Sequence, residues 1–74
     1  MARLKPTPFR EVRRKLMAAG FVESSQRGSH VKFVKSTAQG TRIAIVPHHT
    51  EVRVGTLHSI LNQAALTPDE FNAL

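Results

Sequence analysis

Apolar residues recur at three- and four-residue steps near the start of the chain, a spacing that returns to one side of a helix. The residues on this side are Phe9, Val12, Leu16 and Ala19. Thr7 is expected to cap the helix, and Pro8 to occupy its first position, where a missing N–H costs no hydrogen bond. Gly20 is expected to end the helix in a left-handed conformation, with Phe21 folding back onto Leu16.

Three short segments with strand-like composition follow this helix. They cover residues 21–26, 30–35 and 41–46. A glycine turn and a loop of turn-forming residues over 36–40 separate them, and Pro47 ends the third segment because it cannot continue a central strand. Connections this short favour antiparallel hairpins.

The second strand shows a clear alternation of apolar and polar residues. Because side chains leave a strand on alternate sides, Val31 and Phe33 are expected to face inward. His30 and Lys32 then face outward, close after the turn residue Gly28. The pattern places an imidazole beside an ammonium group on one exposed surface.

The C-terminal part of the chain returns to helical spacing. A second helix is expected to begin near residues 54–56, and its apolar face consists of Leu57, Ile60, Leu61 and Ala64. Residues 67–70 have the pattern of a capping box with proline at the first position, which predicts a short last helix. The order is α-β-β-β-α plus a short helix, in one α+β domain over residues 1–74. We expect a three-stranded antiparallel sheet with both main helices on one face and the other face open.

The charge balance indicates a polyanionic partner. Eleven Lys and Arg residues oppose five Asp and Glu, the net charge is +6, and ten of the eleven cations precede residue 43. Nucleic acid is the first candidate partner and an acidic protein is the second. The four aromatic residues are all phenylalanines with expected core or capping positions, which disfavours a base-stacking platform.

Composition also argues against several other classes of protein. The chain has no cysteine, which excludes disulfides and thiolate metal sites and fits a reducing cytoplasm. No apolar run approaches the roughly 18 residues that span a bilayer, and the basic N-terminus lacks the apolar region of a signal peptide. We therefore expect a soluble, cytoplasmic protein without a membrane partner. The adjacent His48 and His49 point apart on extended chain and need a third ligand, so we expect no metal site.

His30 is the candidate for proton transfer. Histidine titrates near neutrality and can act as general acid or base, and Lys32 on the same face can stabilise phosphate charge. The residues alone leave open whether His30 is catalytic or an exposed strand residue without a role. They also leave open whether the protein cleaves RNA, binds RNA without cleaving it, or binds an acidic protein.

Further candidates for RNA contact are small or basic residues. Gly28 can bring the backbone close to RNA and the Ser29 hydroxyl can donate to a phosphate, although both also serve the turn. In the strand region near His30, the expected contacts are Lys32, Lys35 and Arg42. On the first helix, a basic run either contacts phosphates or forms a solvated face, and it consists of Arg10, Arg13, Arg14 and Lys15. Arg13 and Arg14 are the RNA-binding candidates within it.

Three ordered stretches resemble the HicA family of mRNA interferase toxins. They are residues 18–21 at the end of the first helix, Gly28-Ser29-His30 with Phe33, and Val46-Pro47-His48 with residues 55–57 and 59–61 downstream. The resemblance extends over residues 8–72. The chain departs from the family pattern where His49 follows His48, and where Ala65 stands at a position commonly occupied by glycine.

The resemblance implies a fold similar to a double-stranded-RNA-binding domain and cleavage of mRNA without a metal or other cofactor. It also implies that His30 is the single catalytic residue, and that a HicB-type antitoxin binds the toxin and blocks it. His48 and His49 are candidates for a supporting role, either in proton transfer or in contact with the antitoxin.

Overall fold

Six elements follow one another in the computed structural model, which describes residues 3–74. They are α1 (Phe9–Ala18), β1 (Val22–Arg27), β2 (His30–Thr37), β3 (Gly40–Pro47), α2 (Val54–Ala64) and α3 (Pro68–Ala73). The order of helix, three strands and helix, with a short final helix, confirms the α+β class expected from the sequence.

The strands form one antiparallel sheet in the order β1-β2-β3. In the first hairpin Arg27 is the partner of His30, and in the second Thr37 is the partner of Gly40. Each hairpin therefore closes through two residues, which fixes the register of the central strand β2 against both neighbours. A bulge shifts the register of β1 between Glu23 and Ser25.

The sheet has one covered face and one open face. Buried side chains of β2 and β3 point toward the helices and form the core with residues of α1, α2 and α3 and the connecting segments. The core comprises Phe9, Val12, Leu16, Phe21, Val31, Phe33, Ala44, Val46, Val52, Leu57, Ile60, Leu61, Ala64 and Phe71. The strand residues whose side chains leave on the opposite side form the open face, namely Val22, Ser25, Arg27, His30, Lys32, Val34, Ser36, Thr41, Ile43, Ile45 and Pro47. The inward placement of Val31 and Phe33 and the outward placement of His30 and Lys32 are confirmed.

The start of α1 differs from the sequence-based expectation. Pro8 is the N-cap residue, one position before the helix, and the cap has no side-chain hydrogen bond. The Thr7 hydroxyl instead donates to the carbonyl oxygen of Lys5 at 2.7 Å. The backbone of Thr7 pairs with Val52 through two hydrogen bonds of 3.0 and 2.7 Å, so tertiary pairing fixes this residue in an extended conformation.

The connection between β2 and β3 is shorter than the loop expected over residues 36–40. Ser36 and Thr37 belong to β2, and Gly40 begins β3. The Thr37 hydroxyl donates to the carbonyl oxygen of Gly40 at 2.7 Å and accepts from the backbone N–H of Gln39 at 3.2 Å. Polar residues can therefore continue the strands here, because the Thr37 hydroxyl makes hydrogen bonds with the backbone groups of the tight turn.

Both main helices end in the same way. After α1, Gly20 has a φ of +101°, and the N–H groups of Gly20 and Phe21 donate to the carbonyls of Met17 and Leu16. After α2, Ala65 has a φ of +58°, and the N–H groups of Ala65 and Leu66 donate in the same pattern to the carbonyls of Asn62 and Leu61. Both ends are Schellman motifs, in which the left-handed residue favours glycine. The predicted Gly20 cap is confirmed, and so is the capping box formed by Thr67 and Glu70.

Candidate nucleic-acid interface

The first hairpin turn positions His30. Gly28 has a φ of +59° and Ser29 does not have a positive φ, which is what a type II′ hairpin turn requires. The Gln26 side-chain amide donates to the carbonyl oxygen of Gly28 at 2.9 Å and braces the turn. His30 is therefore the first residue of β2, and its exposed ring stands at the end of the open face.

His30 lies between two cations on the open face. Arg27 is its cross-strand partner in β1, and Lys32 follows it by two residues in β2, so all three side chains leave the sheet on the same side. Together with Ser25, Gln26 and Ile45 they line an open depression of about 480 Å³. Among the described residues that line this depression, none carries a carboxylate.

Arg27 is a site residue that the sequence analysis did not identify. The first strand was expected to end at residue 26, which placed Arg27 in the glycine turn itself. The pair Gly28-Ser29 could have predicted the position of Arg27, because it is typical of a two-residue hairpin turn. Such a turn makes the residues on either side of it, Arg27 and His30, cross-strand partners. A group that can transfer a proton and two groups that can bind phosphate thus share one exposed surface.

Lys35 and Arg42 do not lie near His30, contrary to expectation. Lys35 is an odd number of residues from His30, so its side chain leaves β2 on the covered face. Its Nζ atom lies 5.8 Å from the ring centroid of Phe21. Arg42 is the cross-strand partner of Lys35, and its side chain therefore leaves on the same side. An RNA contact by either residue stays a prediction and would have to lie apart from His30.

The two helix arginines point in different directions. The Nε atom of Arg13 donates to Glu23 of β1 at 3.0 Å. Arg14 binds Glu11 on its own helix, and its Nη2 atom also lies 3.4 Å from the carbonyl oxygen of Leu74. The hydrogen bond from Arg14 lowers the pKa of the Glu11 carboxyl and raises the pKa of the guanidinium. Both ion pairs are exposed to solvent and contribute little to stability, so either arginine can exchange its carboxylate for a phosphate.

His48 and His30 leave the sheet on opposite faces. The N–H of His48 donates to the carbonyl oxygen of Ser29 at 2.5 Å, which extends the β2–β3 ladder by one residue. The ring of His48 stacks on Phe9 of α1, with centroids 4.0 Å apart and an angle of 26° between the planes. Since Phe9 belongs to the core under the covered face, the two histidines cannot act on one phosphate from the same side of the sheet.

A second open depression lies beside His48, between the start of α1 and the segment after β3. It has a volume of about 570 Å³ and is lined by Pro8, Phe9, Arg10, His48, His49, Thr50 and Glu51. The backbone N–H of His49 donates to the carbonyl oxygen of Pro47 at 2.9 Å. Arg10 belongs to the basic run expected on the first helix, but no local signal in the sequence connects it with His48.

Two further properties of residues 3–74 bear on the site. Within this range, no three or more His, Cys, Asp or Glu side chains are grouped so that they could hold a metal ion. The helices of the same range are all too short or too polar to cross a membrane.

The chain matches a known protein family over most of its length. Residues 9–66 fit the family model described as the HicA toxin of bacterial toxin-antitoxin. No individual curated protein matches the chain. The matched segment begins with α1 and ends just after α2, so it contains all three strands and His30. The chain therefore belongs to the HicA family of toxins from bacterial toxin–antitoxin pairs.

Proposed function

We propose that this toxin is an endoribonuclease that cleaves mRNA with His30 and needs neither a metal nor a cofactor. The observation that carries the proposal is the placement of an exposed imidazole between Arg27 and Lys32 on the open face. Acting on mRNA would place the toxin in the cytoplasm. Its membership of the HicA family supports a toxic activity of this kind.

RNA supplies its own nucleophile in this mechanism. The 2′-oxygen attacks the adjacent phosphorus, the O2′–P bond forms, and the P–O5′ bond breaks. The products are a 2′,3′-cyclic phosphate and a free 5′-hydroxyl. His30 either removes the proton from the 2′-hydroxyl or delivers a proton to the departing 5′-oxygen. Arg27 and Lys32 stabilise the additional negative charge on the phosphorane, which is greatest in the transition state.

The exchange of His30→Ala tests this assignment. Because positioned proton transfer contributes about 10²- to 10⁴-fold, we expect the cleavage rate to fall by roughly that factor while RNA affinity changes little. Cleavage of a short labelled RNA is measured by gel electrophoresis in EDTA. His58→Ala, on the exposed side of α2, is the matched control and should cleave like wild type. Undiminished cleavage by the His30→Ala variant would remove His30 from the mechanism.

A non-catalytic RNA-binding module is the second candidate function. Among the described residues lining the depression, His30 is the only histidine and none carries a carboxylate, so the site has no acid–base pair. If the wild-type protein binds RNA and cleaves none of a set of sequences across several buffers, this second function replaces the first.

We also propose that a HicB-type antitoxin is the protein partner, as the toxin–antitoxin family implies. Blocking cleavage requires only that the partner cover the depression around His30. The net charge of +6 favours a partner with an acidic surface, because complementary charge accelerates association and excludes wrong partners.

A further inference from the structure

The open face of the sheet carries a row of aliphatic side chains. Val22 of β1 is the cross-strand partner of Val34 of β2, which is in turn the partner of Ile43 of β3. Val22 is 58 % exposed and Ile43 is 43 % exposed. Val34 between them is half-buried. We call these three residues the aliphatic row.

The aliphatic row is unusual for a sheet face that water covers. An antiparallel sheet with one packed face normally carries polar residues on the other. Single exposed hydrophobic residues are common on proteins, whereas adjacent ones indicate a contact surface. Of the described residues, only Met17, Val22 and Ile43 are large exposed hydrophobics, and two of these belong to the row.

The aliphatic row continues the depression around His30. On β2 the outward residues run His30, Lys32, Val34, so Val34 lies four residues from His30, about 13 Å along the strand. Ile45 of β3 is the partner of Lys32 and connects the two areas. Both areas therefore fit within one protein–protein interface of ordinary size, about 800 Å² on each partner.

We propose that the antitoxin docks on the open face by packing apolar side chains against the aliphatic row and placing carboxylates over Arg27, His30 and Lys32. This inference rests on the proposed function, in which an antitoxin blocks the toxin. It adds that the two parts of the open face have different roles. The cationic end serves both RNA and the antitoxin, while the aliphatic row serves the antitoxin alone.

The chemistry of the face argues against other occupants. RNA is held through phosphates and through bases stacked on aromatic rings. The aliphatic row offers neither contact, since all four phenylalanines are in the core. A second copy of the toxin offers, among its described residues, no carboxylate on this face, so it would leave Arg27 and Lys32 unpaired, and any arrangement that aligns the two cationic ends opposes like charges.

The test uses Val22→Thr and Ile43→Thr, because threonine keeps the β-branched shape and the strand propensity. A hydroxyl replaces one methyl group of Val22 and the ethyl branch of Ile43. Kd for the purified HicB-type antitoxin is measured by titration calorimetry, and RNA cleavage is measured in parallel. We expect each substitution to raise Kd about tenfold and to leave cleavage of RNA unchanged. Met17→Gln, which changes the exposed hydrophobic residue on α1, is the matched control and should leave both quantities unchanged.

Three outcomes would overturn the proposal. An unchanged Kd in both threonine variants would show that the antitoxin does not contact the row. A parallel loss of RNA cleavage, with an unchanged circular dichroism spectrum, would assign the row to RNA. A wild-type dimer in light scattering that the variants convert to a monomer would assign it to a second copy. If wild-type toxin cleaves no RNA, the proposed function fails, but the change in Kd still decides whether the antitoxin binds the row.

Discussion

At the scale of single residues, Ala65 shows the effect of one strained position. It occupies the left-handed region at a φ of +58°, where a Cβ is unfavourable by about 1–2 kcal/mol. Ala65 ends α2 in the same hydrogen-bonding pattern in which Gly20 ends α1. The preference for glycine here, noted from the sequence as a departure from the family pattern, therefore has a physical reason.

Ala65→Gly is expected to stabilise the protein. Relief of the left-handed strain exceeds the extra backbone entropy that glycine adds to the unfolded chain, which leaves a net gain of about 0.5–1 kcal/mol. Thermal unfolding followed by circular dichroism should show a Tm higher by a few degrees. Ala18→Gly, inside α1, is the control and should lower Tm. A lower Tm for Ala65→Gly would mean that the methyl group makes a contact that outweighs the strain.

At the scale of secondary-structure elements, the parity of each strand decides which cations share the site. Arg27 and Arg42 are both exposed strand arginines, and each carries one positive charge. The two hairpin registers put Arg27 on the open face with His30 and put Arg42 on the covered side with Lys35. A slip of one residue in either hairpin would reverse this assignment.

The different positions of Arg27 and Arg42 predict different results from the same substitution at the two sites. Arg27→Ala should lower kcat/KM for RNA cleavage about tenfold to hundredfold, because it removes a charge-assisted contact to the phosphorane. Arg42→Ala removes the same net charge and should leave kcat/KM near the wild-type value. The two variants are compared on one RNA at one ionic strength. Equal losses would mean that overall charge, rather than position on the open face, governs activity.

At the scale of the whole molecule, the two-layer fold separates stability from function. The helices, the covered face of the sheet and the connecting segments between them contain the whole core, and no buried charged or polar residue occurs among residues 3–74. The open face contributes little to the core and is free to carry cations and exposed aliphatic residues. Residues that bind partners can therefore change there at small cost in folding free energy.

The net charge of +6 predicts how the whole molecule binds nucleic acid. Single-stranded DNA and RNA of one sequence should bind with similar affinity, and log Kd should rise linearly with log salt because binding releases counterions. Only the RNA should be cleaved, since DNA lacks the 2′-hydroxyl. Fluorescence anisotropy measures binding and gel electrophoresis measures cleavage. Cleavage of the DNA would contradict the proposed nucleophile, and an affinity independent of salt would contradict phosphate contact.

Local patterns were sufficient for most of the fold. The apolar spacing of α1 and α2, the alternation in β2, Gly20 and the capping box at Thr67 each depend on interactions within a few residues, so the sequence displays them directly. Thr7 was predicted wrongly because its role depends on Val52, which is distant in the chain. The same local alternation predicted that His30 and Lys32 are exposed on one face.

By itself, the sequence determined the order of the elements, the apolar core residues, the net charge and the exposed position of His30. The tertiary structure decided which residues accompany His30. Hairpin register made Arg27 its cross-strand partner and placed Arg42 on the covered side, and packing against Phe9 carried His48 to the same side. Lys35 leaves β2 on the covered side by the strand alternation that the sequence already shows. Arg42 and His48 are far from His30 in the chain, so the register and packing that place them leave no local pattern in the sequence.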